Sequence, residues 1–556
     1  MKEKLWYKSY APGVPRTIDY KKVTISQRLS ENARRIPRDV IMDYMGRVIT
    51  FEELDHLVNR FARALTDLGI GRGDKVAVII PNIPEIIITN MAIWRIGAVA
   101  VLINPLYTER ELEYQLADSG SKLVVTLSLL IPRIRSIMPK TGVKKIIATQ
   151  ISSFLPFPKK QLFPYVRKAF FKKIEPDDVV FEYEALIKKY SGAPLEEKSR
   201  WEELSTLIYT GGTTGVSKGV MLSHRNISSN TQQFEAWFPD FAGTTQSMIA
   251  NLPIFHSAAF TSHQNLFVWA GWELIMLPRP EPKMIIELLK KHRPTILPGV
   301  PTIFVGLLND PEFRSMDLTF IKGFFSGAAP LALDTIRDLK ELTGSLILEI
   351  YGLSETSPII TGTPWGGTIK PGTVGVPMPD TDIKIVDLDT GKKEMKTGET
   401  GEIIVSGPQV MMSYYKKPDE TGNTLRDGWI YTGDIGFFDE DGYLTIVDRK
   451  KDMVIAGGYN IYPVEIDNVL FDHPKILEAC SVGVPDKYRG ETIKAFIVVK
   501  PGEALTEREV TDFCKERLAA YKVPKIIEFV DSVPKSAVGK VLRRELRDRE
   551  IAKMKG

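Results

Sequence analysis

Residues 209–220 read YTGGTTGVSKGV, and the interpretation of the whole chain depends on this stretch. Its glycines allow positive φ, so consecutive backbone N–H groups can turn toward one point and hold an anion. The hydroxyl groups and the mobile charge of Lys218 add donors that suit phosphate oxygens. The stretch therefore predicts a polyphosphate-binding loop made of Thr210, Gly211, Gly212, Thr213, Thr214, Gly215 and Lys218.

The loop differs from the phosphate loop of kinases and motor NTPases. Lys218 stands between Ser217 and Gly219, so no hydroxyl follows the lysine at the position that would hold Mg²⁺. A flexible linker is the alternative interpretation, but linkers are rarely flanked by apolar runs such as LSTLIYT and VML. A binding loop that is unlike the NTPase type is the better interpretation.

Length and composition exclude several classes of protein. A chain of 556 residues is longer than one core usually grows, so at least two domains are expected. A net charge of +4 is small for this length and does not imply nucleic-acid binding. Two cysteines and six scattered histidines suit a reducing compartment and make a protein-held transition metal unlikely. The N-terminus has no signal-peptide core and no segment approaches about 18 uninterrupted apolar residues, which predicts a cytoplasmic, non-spanning protein.

The order of predicted elements favours an α/β fold. Residues 50–69 have apolar positions at helical spacing; Thr50 and Glu53 suggest a capping box, and Gly69 ends the helix. KVAVIIP, PEIIITNMAIWRIGA and VAVLINP then predict a strand, a helix and a strand, the unit of a parallel sheet. The same alternation continues beyond the glycine-rich loop, so the sheet system is large.

The C-terminal part of the chain has a different organisation. Short strands with turn residues between about 372 and 447 predict a small β-rich subdomain. The stretch DRKKD at 448–452 marks a boundary, which divides a large N-terminal domain, residues 1–448, from a mobile α+β C-terminal domain, residues 449–556. Within the latter, Thr506 and Glu509 predict a capping box.

Residues 151–175, ISSFLPFPKKQLFPYVRKAFFKKIE, combine six basic residues with aromatic residues and have no acidic residue before Glu175. This composition favours contact with an anionic membrane surface, and the contact is assigned to residues 154–173. An ordinary solvated insertion that packs its aromatic residues locally is the alternative.

Six further stretches follow in an order that resembles the adenylate-forming superfamily, which includes acyl-CoA synthetases, luciferases and peptide-synthetase adenylation domains. They are NLPIFHSAAF (251–260), FSGAAPL (325–331), YGLSET (351–356), YTGDIG (431–436), DRKKDMVIAGGYNIYPVEID (448–467) and VPKSAVGKVLRREL near the C-terminus. With NPLYTERELEYQLADSGSKLVV (104–125), the chain most resembles AMP-forming long-chain fatty acyl-CoA synthetases. The resemblance implies that ATP and a carboxylic acid form an acyl-adenylate, from which coenzyme A displaces AMP.

The resemblance also implies roles for individual residues around ATP. Lys540, which Ser536 and Gly539 are predicted to present on a turn, would contact the acid and the α-phosphate, and Glu355 would bind Mg²⁺. Asp434 and Arg449 match the ribose-binding positions. The remaining positions of the nucleotide site are Gly327, Ala328, Ala329, Tyr351, Gly352 and Ser354. Ala328 departs from the pattern, since many fatty acyl relatives have glycine there.

The acyl and CoA sides are assigned in the same way. His256 and Gly327 would line the acyl tunnel, and Phe260 matches an aromatic gate, with a core aromatic as the alternative. Gly457 and Gly458 would line the pantetheine tunnel after the C-terminal domain rotates about a hinge at Lys451. Relatives are often dimers, so a homodimer is expected by analogy.

Several functions stay open at this point. A medium- or long-chain fatty acid is the favoured substrate, an aryl acid ligase and an acyl-AMP ligase that loads a carrier protein are alternatives, and a luciferase-like oxygenase would share the adenylation step. Aromatic or polar residues deep in the tunnel would favour an aryl acid. Outside this class, a non-catalytic binder would be expected to lack Lys540, Glu355 or the loop threonines, all of which are present.

Overall fold

A computed structural model describes residues 3–210, 217–327, 331, 333–456, 459–486, 489–536 and 539–555. Within these residues the strands form four sheets of nine, eight, five and five strands. The first three belong to a large N-terminal part of the chain and the last to a smaller C-terminal part. The predicted α/β class is confirmed.

The eight-stranded sheet contains the predicted strand–helix–strand unit. Lys75–Ile79 and Val99–Leu102 pair in parallel, and helix Pro84–Arg95 connects them. Every residue of this helix is buried, which explains why its sequence is apolar on nearly all sides. In sheet order the strands are Ser413–Tyr414, Lys218–Ser223, Leu204–Thr210, Val99–Leu102, Lys75–Ile79, Leu123–Leu127, Lys145–Thr149 and Val180–Glu182.

The nine-stranded sheet is parallel at its centre and antiparallel at both edges. In sheet order its strands are Val376–Pro377, Ile359–Gly362, Leu346–Gly352, Gly323–Ser326, Ile296–Gly299, Ser247–Ala250, Glu273–Met276, Val40–Tyr44 and Arg47–Thr50. Ligands of parallel sheets usually bind beyond the carboxyl ends of the strands. The stretches that carry the predicted site follow these ends.

Two smaller sheets complete the chain. The β-rich sheet contains Asp382–Val386, Gly401–Ser406, Trp429–Phe438, Leu425–Arg426 and Leu444–Arg449. The C-terminal sheet contains Tyr459–Ile461, Val454–Ala456, Gly490–Val499, Ile476–Asp486 and Ile526–Phe529. Within the predicted span of about 372–447, strand 376–377 joins the nine-stranded sheet, and the last strand of the β-rich sheet ends at Arg449.

Helices cover the faces of the sheets. The α-helices are Ile25–Arg35, Phe51–Asp67, Pro84–Arg95, Glu109–Ser119, Ile131–Ile137, Lys159–Val166, Tyr183–Lys189, His224–Ala236, Ser257–Ala259, Leu266–Ala270, Pro282–His292, Pro301–Leu308, Pro311–Ser315, Leu333–Thr343, Pro418–Thr424, Pro463–Phe471, Glu507–Lys515 and Arg543–Lys555. Phe260–Asn265 is a π-helical turn. Short 3₁₀ turns are Leu5–Ser9, Ser128–Leu130, Met138–Lys140, Lys168–Phe170, Pro239–Phe241 and Ser354–Thr356.

The helix starts show where local sequence signals hold. Thr506 and Glu509 form the complete capping box that was predicted. At Thr50 only half of the predicted box is present: the Thr50 hydroxyl accepts from the backbone N–H of Glu53, but the Glu53 carboxylate pairs with Arg47 instead. A nearby guanidinium therefore outcompetes the backbone N–H for this carboxylate. In the described part of the chain, the helices are all too short or too polar to cross a bilayer.

Candidate active site

The glycine-rich stretch connects two paired strands of the eight-stranded sheet. Leu204–Thr210 runs antiparallel to Lys218–Ser223, and Thr210 stands opposite Lys218 next to the loop. The Tyr114 hydroxyl donates to the carbonyl of Ser217 at 3.0 Å and so fixes the described end of the loop. The residues between lie outside the described ones: Gly211, Gly212, Thr213, Thr214 and Gly215. Their contacts with phosphate stay a prediction.

Lys218 and Glu355 meet at a common neighbour, Tyr414. The Lys218 Nζ lies 4.3 Å from the centroid of the Tyr414 ring, a cation–π distance. The Tyr414 hydroxyl donates to Glu355 Oε1 at 2.6 Å. Burial, followed by the charge of Glu355, raises the pKa of Tyr414, so its hydroxyl keeps its proton and remains a donor. The loop lysine and the expected Mg²⁺ ligand therefore belong to one cluster.

The Glu355 carboxylate fits a magnesium ligand. Among the described residues only Tyr414 donates to it, at one oxygen, so the second oxygen keeps its lone pairs for a cation. The described residues include no group of three or more His, Cys, Asp or Glu side chains that could hold a metal by themselves. Mg²⁺ commonly binds through one carboxylate, substrate phosphates and water, which matches this arrangement.

Close backbone packing positions the turn that carries Glu355. A Cβ on Gly352 would lie 1.8 Å from the carbonyl oxygen of Pro358, so only glycine fits there. The hydroxyls of Ser354 and Ser257 are 2.9 Å apart and share a hydrogen bond. This bond connects the YGLSET stretch with NLPIFHSAAF. The contacts predicted between Gly352, Ser354 and ATP stay predictions.

A second cluster forms around the buried carboxylate of Asp434. The Tyr351 hydroxyl donates to its Oδ2 at 2.7 Å, and Arg449 Nε lies 3.0 Å from its Oδ1. Asp434 and Arg449 face each other across paired strands of the β-rich sheet. The charge of Asp434 raises the pKa of Arg449. Each carboxylate oxygen accepts one bond here and can accept another, which suits recognition of ribose hydroxyls.

Lys540 approaches these clusters on the predicted turn. The backbone N–H of Ser536 donates to the Lys540 carbonyl at 2.8 Å, and Gly539 has φ +75°. A Cβ on Gly539 would lie 3.3 Å from Thr302 Oγ1, so the turn rests against the start of helix Pro301–Leu308. Burial, followed by the positive charge of Arg449, lowers the pKa of Lys540 to about 8. Within the described residues, the ammonium group has no carboxylate within salt-bridge distance.

His256, which was predicted to line the acyl tunnel, is the residue before the short helix Ser257–Ala259. Burial, followed by the charge of Lys540, lowers its pKa to about 4, so the imidazole is neutral near pH 7. Its Nδ1 accepts from the backbone N–H of Ala258 at 3.4 Å. Asn82 holds the preceding chain, because its amide donates to the carbonyls of Ala250 and Leu252 and accepts from the N–H of Ile254.

Phe260 is buried, with 1% of its surface exposed, and packs edge-on against Trp94 at 5.7 Å. Its position is that of a core aromatic, and a gating role stays a prediction. Gly327 follows the strand Gly323–Ser326, and its role beside adenine or the acyl chain likewise stays a prediction. The predicted positions outside the described residues are Ala328, Ala329, Gly457 and Gly458.

A buried polar group joins the π-helical turn that begins at Phe260 to helix Pro84–Arg95. It consists of Asn90, His263, Gln264 and Asn265. The Asn90 amide donates to Gln264 at 2.8 Å, and the Gln264 amide donates to Asn265 at 3.1 Å. Among the described residues, three of its atoms have no hydrogen-bond partner: Asn90 Oδ1, Asn265 Nδ2 and His263 Nε2. Such groups are uncommon in protein interiors, and π-turns are frequent at functional sites.

Sequence reasoning missed Tyr414, Asn82 and this buried polar group. Tyr414 lies 59 positions from Glu355, and no pattern in MMSYYKKP distinguishes it from Tyr415. The run TSHQN inside an apolar segment was the only available signal for the polar group, because five consecutive polar residues in such a segment must be either exposed or partnered.

Comparison with known families identifies two regions. The profile described as AMP-binding enzyme matches residues 29–415, and the profile described as AMP-binding enzyme C-terminal domain matches residues 465–540. The second match ends at Lys540. A curated long-chain-fatty-acid–CoA ligase from Bacillus subtilis is 40% identical over 557 aligned residues, which cover 99% of this chain and 98% of the relative.

Solved structures give the same architecture. ATP-bound MatB from Rhodopseudomonas palustris superposes with a TM-score of 0.83 at 31% identity, covering 94% of this chain and 98% of that one. An anthranilate CoA ligase in complex with anthranoyl-AMP superposes with a TM-score of 0.85 at 26% identity, covering 97% of this chain and 98% of that one. Both similarities extend over nearly the full length.

Proposed function

Because the chain belongs to the AMP-binding enzyme family, we propose that it is an acid–thiol ligase that joins a medium- or long-chain fatty acid to coenzyme A with ATP. The fatty acid is inferred from the full-length relative, which is a long-chain-fatty-acid–CoA ligase. The structural support is that the charges of Arg449 and Asp434, which pair with each other at 3.0 Å, act on the buried Lys540 ammonium. This arrangement suits the joining of two anions.

In the first half-reaction, a carboxylate oxygen of the acid attacks the α-phosphorus of ATP, and pyrophosphate leaves. Both reactants are negatively charged, so cations must offset the charge that accumulates as they approach. Lys540 is suited to this role, since its ammonium has no carboxylate within salt-bridge distance among the described residues. Anionic substrates would supply that partner and raise the pKa of Lys540 again.

The nucleotide would be held by groups that are already fixed before it binds. Asp434 would accept hydrogen bonds from the ribose hydroxyls, while Arg449 and Tyr351 hold its carboxylate in place. Thr210, Lys218 and the loop between them would contact the β- and γ-phosphates. Mg²⁺, when bound, would neutralise phosphate charge, and Glu355, oriented by Tyr414, would be its protein ligand.

In the second half-reaction, the thiol of coenzyme A attacks the acyl carbon and AMP leaves. We propose that the C-terminal domain, residues 449–556, rotates about Lys451 between the two steps. The rotation would withdraw Lys540 and bring Gly457 and Gly458 to a pantetheine tunnel. The family relationship supports this step by analogy.

An aryl acid is the second candidate substrate, and the buried polar group favours it. Two of its unpartnered atoms, on His263 and Asn265, follow Phe260 by three and five residues, and the third is on Asn90 of helix Pro84–Arg95. A purely aliphatic chain would offer them no hydrogen bond. An acid that carries an amine, hydroxyl or aromatic ring could satisfy them. The anthranilate ligase shows that an aryl acid can be activated on this fold.

A panel of acids tests both proposals: acetate, benzoate, anthranilate, octanoate, palmitate and oleate, each with and without CoA. We expect release of AMP and pyrophosphate to peak on an aliphatic acid and turnover to require CoA. Turnover with aryl acids alone would replace the fatty acid with an aryl acid, and transfer to a carrier protein in place of CoA would indicate an acyl-AMP ligase. No release with any acid would contradict the ligase.

Assembly and location are proposals as well. The scarcity of cysteine supports a reducing compartment such as the cytoplasm. A homodimer rests on family analogy alone. Size-exclusion chromatography with light scattering would measure the mass directly, and a mass near 62.5 kDa would contradict the dimer.

A further inference from the structure

The segment 151–175 exposes an unusual amount of apolar surface. Phe157 is 81% exposed, Tyr165 75%, Val166 70%, Leu162 52% and Phe170 41%. Large apolar side chains that cluster on a surface mark a site of interaction, whereas scattered ones are normal. These five lie within fourteen consecutive positions, and we call them the apolar patch.

The short helix Lys159–Val166 gives the patch its shape. Leu162, Tyr165 and Val166 are three and four positions apart, so they lie on one face of the helix, which points to solvent. Phe163 packs inward against the main core, as does Phe154 before the helix. The helix is therefore attached by its aromatic inner side and presents an apolar outer side.

Polar contacts hold the segment on the body of the protein. The Lys159 Nζ donates to the carbonyl of Met45 at 2.8 Å, and Lys160 pairs with Glu184. The Tyr44 hydroxyl donates to the carbonyl of Ile151 at 2.7 Å, at the start of the segment. The patch is thus displayed in a defined place and is not a loose end of chain.

Positive charge borders the patch on its C-terminal side. Arg167, Lys168, Lys172 and Lys173 are exposed, and none pairs with a carboxylate among the described residues. The sequence from 151 to 174 contains six basic residues and no acidic one. An apolar surface beside unpaired cations complements an anionic lipid surface, where acyl chains lie beneath negative headgroups.

We propose that the apolar patch and its four bordering cations form a peripheral docking surface for an anionic lipid bilayer. An eight-residue helix is about 12 Å long and cannot span a hydrocarbon core of roughly 30 Å, so the contact is interfacial. Tyr165 and Phe157 are amphipathic or aromatic side chains of the kind that settle at headgroup depth. Docking does not depend on the ligase reaction.

The test is flotation of the full-length protein with vesicles of phosphatidylcholine alone or with about 30% phosphatidylglycerol, at low and high salt. We expect binding to the anionic vesicles at low salt, weaker binding at high salt and little binding to the zwitterionic vesicles. Failure to float with anionic vesicles at low salt would overturn the proposal.

Two pairs of variants separate the apolar and the charged contributions. Lys172→Gln with Lys173→Gln should weaken binding to anionic vesicles roughly 30-fold, since each surface cation contributes about one factor of five to six. Lys392→Gln with Lys393→Gln removes two exposed lysines elsewhere and should leave binding unchanged. If both double variants lose the same amount of vesicle binding, the effect depends on net charge alone, which would contradict a local docking surface.

Tyr165→Ser with Val166→Ser should weaken binding at least roughly tenfold at every salt concentration, because apolar burial is not screened. Phe471→Ser, at a side chain that is 44% exposed, is the matched control. Unchanged flotation of the double variant would contradict insertion of the patch. If instead the wild type self-associates without lipid and the double variant does not, the patch covers a second copy of the chain and the lipid proposal fails.

Discussion

Asp434 and Lys540 are two predicted residues of the site, and they are held in opposite ways. Asp434 is on a ten-residue strand, is 3% exposed and receives side-chain bonds from Tyr351 and Arg449. Lys540 is on a turn, where its carbonyl accepts from the Ser536 backbone N–H and its own N–H donates to the Ser536 hydroxyl, and its ammonium has no salt bridge to a described residue. The Asp434 carboxylate is therefore fixed by bonds from neighbouring side chains, whereas the Lys540 ammonium forms no salt bridge among the described residues.

The difference matches the two half-reactions of the proposed mechanism. The AMP part of the nucleotide is bound in both steps, so Asp434 must stay in place throughout. The positive charge of Lys540 is needed only while the adenylate forms. A lysine without a side-chain partner can leave the site without breaking a buried ion pair. Burial and the charge of Arg449 destabilise the ammonium form of Lys540 before the anions bind, and its pKa is lowered as a result.

The largest expected effect comes from Lys540→Ala. Adenylate formation, measured by pyrophosphate release, should fall about 1,000-fold, which is typical for loss of a group that stabilises developing charge. Thioester formation from supplied acyl-adenylate should change less than about threefold, because the cation has left by that step. Lys525→Ala removes an exposed lysine of the same C-terminal part and should affect neither step. An equal fall in both half-reactions would contradict the separation of roles.

Asp434→Asn should have a smaller effect, but on both half-reactions. Removing a buried charged acceptor that Arg449 and Tyr351 share should lower kcat/KM roughly 10- to 100-fold in each step. Single-turnover rates with ATP and with supplied acyl-adenylate give the two values. Asp389→Asn changes an exposed carboxylate and serves as the control. A loss confined to adenylation would assign Asp434 to the triphosphate instead of the ribose.

Much of the frame around Asp434 could be predicted from the sequence, because its elements have strong local signals. The apolar helix Pro84–Arg95 and the flanking parallel strands follow from hydrophobic runs between turn residues. The capping boxes show the limit of such signals. Thr506 and Glu509 form theirs, while Glu53 turns to Arg47, whose position depends on strand pairing.

The contacts inside the site were harder to predict, because they join residues far apart in the chain. Tyr351 and Asp434 are separated by 83 positions, and Tyr414 and Glu355 by 59. Their residue types gave no indication of these partners. Family motifs predict roles for Lys540, Asp434 and Glu355, because each lies in a distinctive stretch, whereas Tyr414 and Asn82 lie in stretches without a motif.

The pKa of Lys540 predicts a pH dependence of intermediate size. The ammonium is charged below its pKa of about 8 and neutral above it, so kcat/KM for adenylation should fall as pH rises past 8, about tenfold per pH unit. Lys540 has no role in the second step of the proposed mechanism, so thioester formation from supplied adenylate should not show this fall above pH 8. Lys540→Arg should also abolish the fall in kcat/KM for adenylation above pH 8, because a guanidinium stays charged. If the fall in kcat/KM above pH 8 persists in Lys540→Arg, a group other than Lys540 must titrate there.

Tyr414→Phe should have the smallest effect and separates two contacts made by one side chain. The phenylalanine ring keeps the cation–π contact with Lys218 but loses the hydrogen bond to Glu355, which is worth about 1 kcal/mol, or roughly a fivefold loss. Since the hydroxyl orients the carboxylate, the Mg²⁺ concentration for half-maximal adenylation should rise while the KM for the acid stays constant. Tyr415→Phe, one position on, is the control, because no described residue bonds to its hydroxyl. A change in KM for ATP without a change in the Mg²⁺ requirement would mean that Tyr414 acts through Lys218 and not through Glu355.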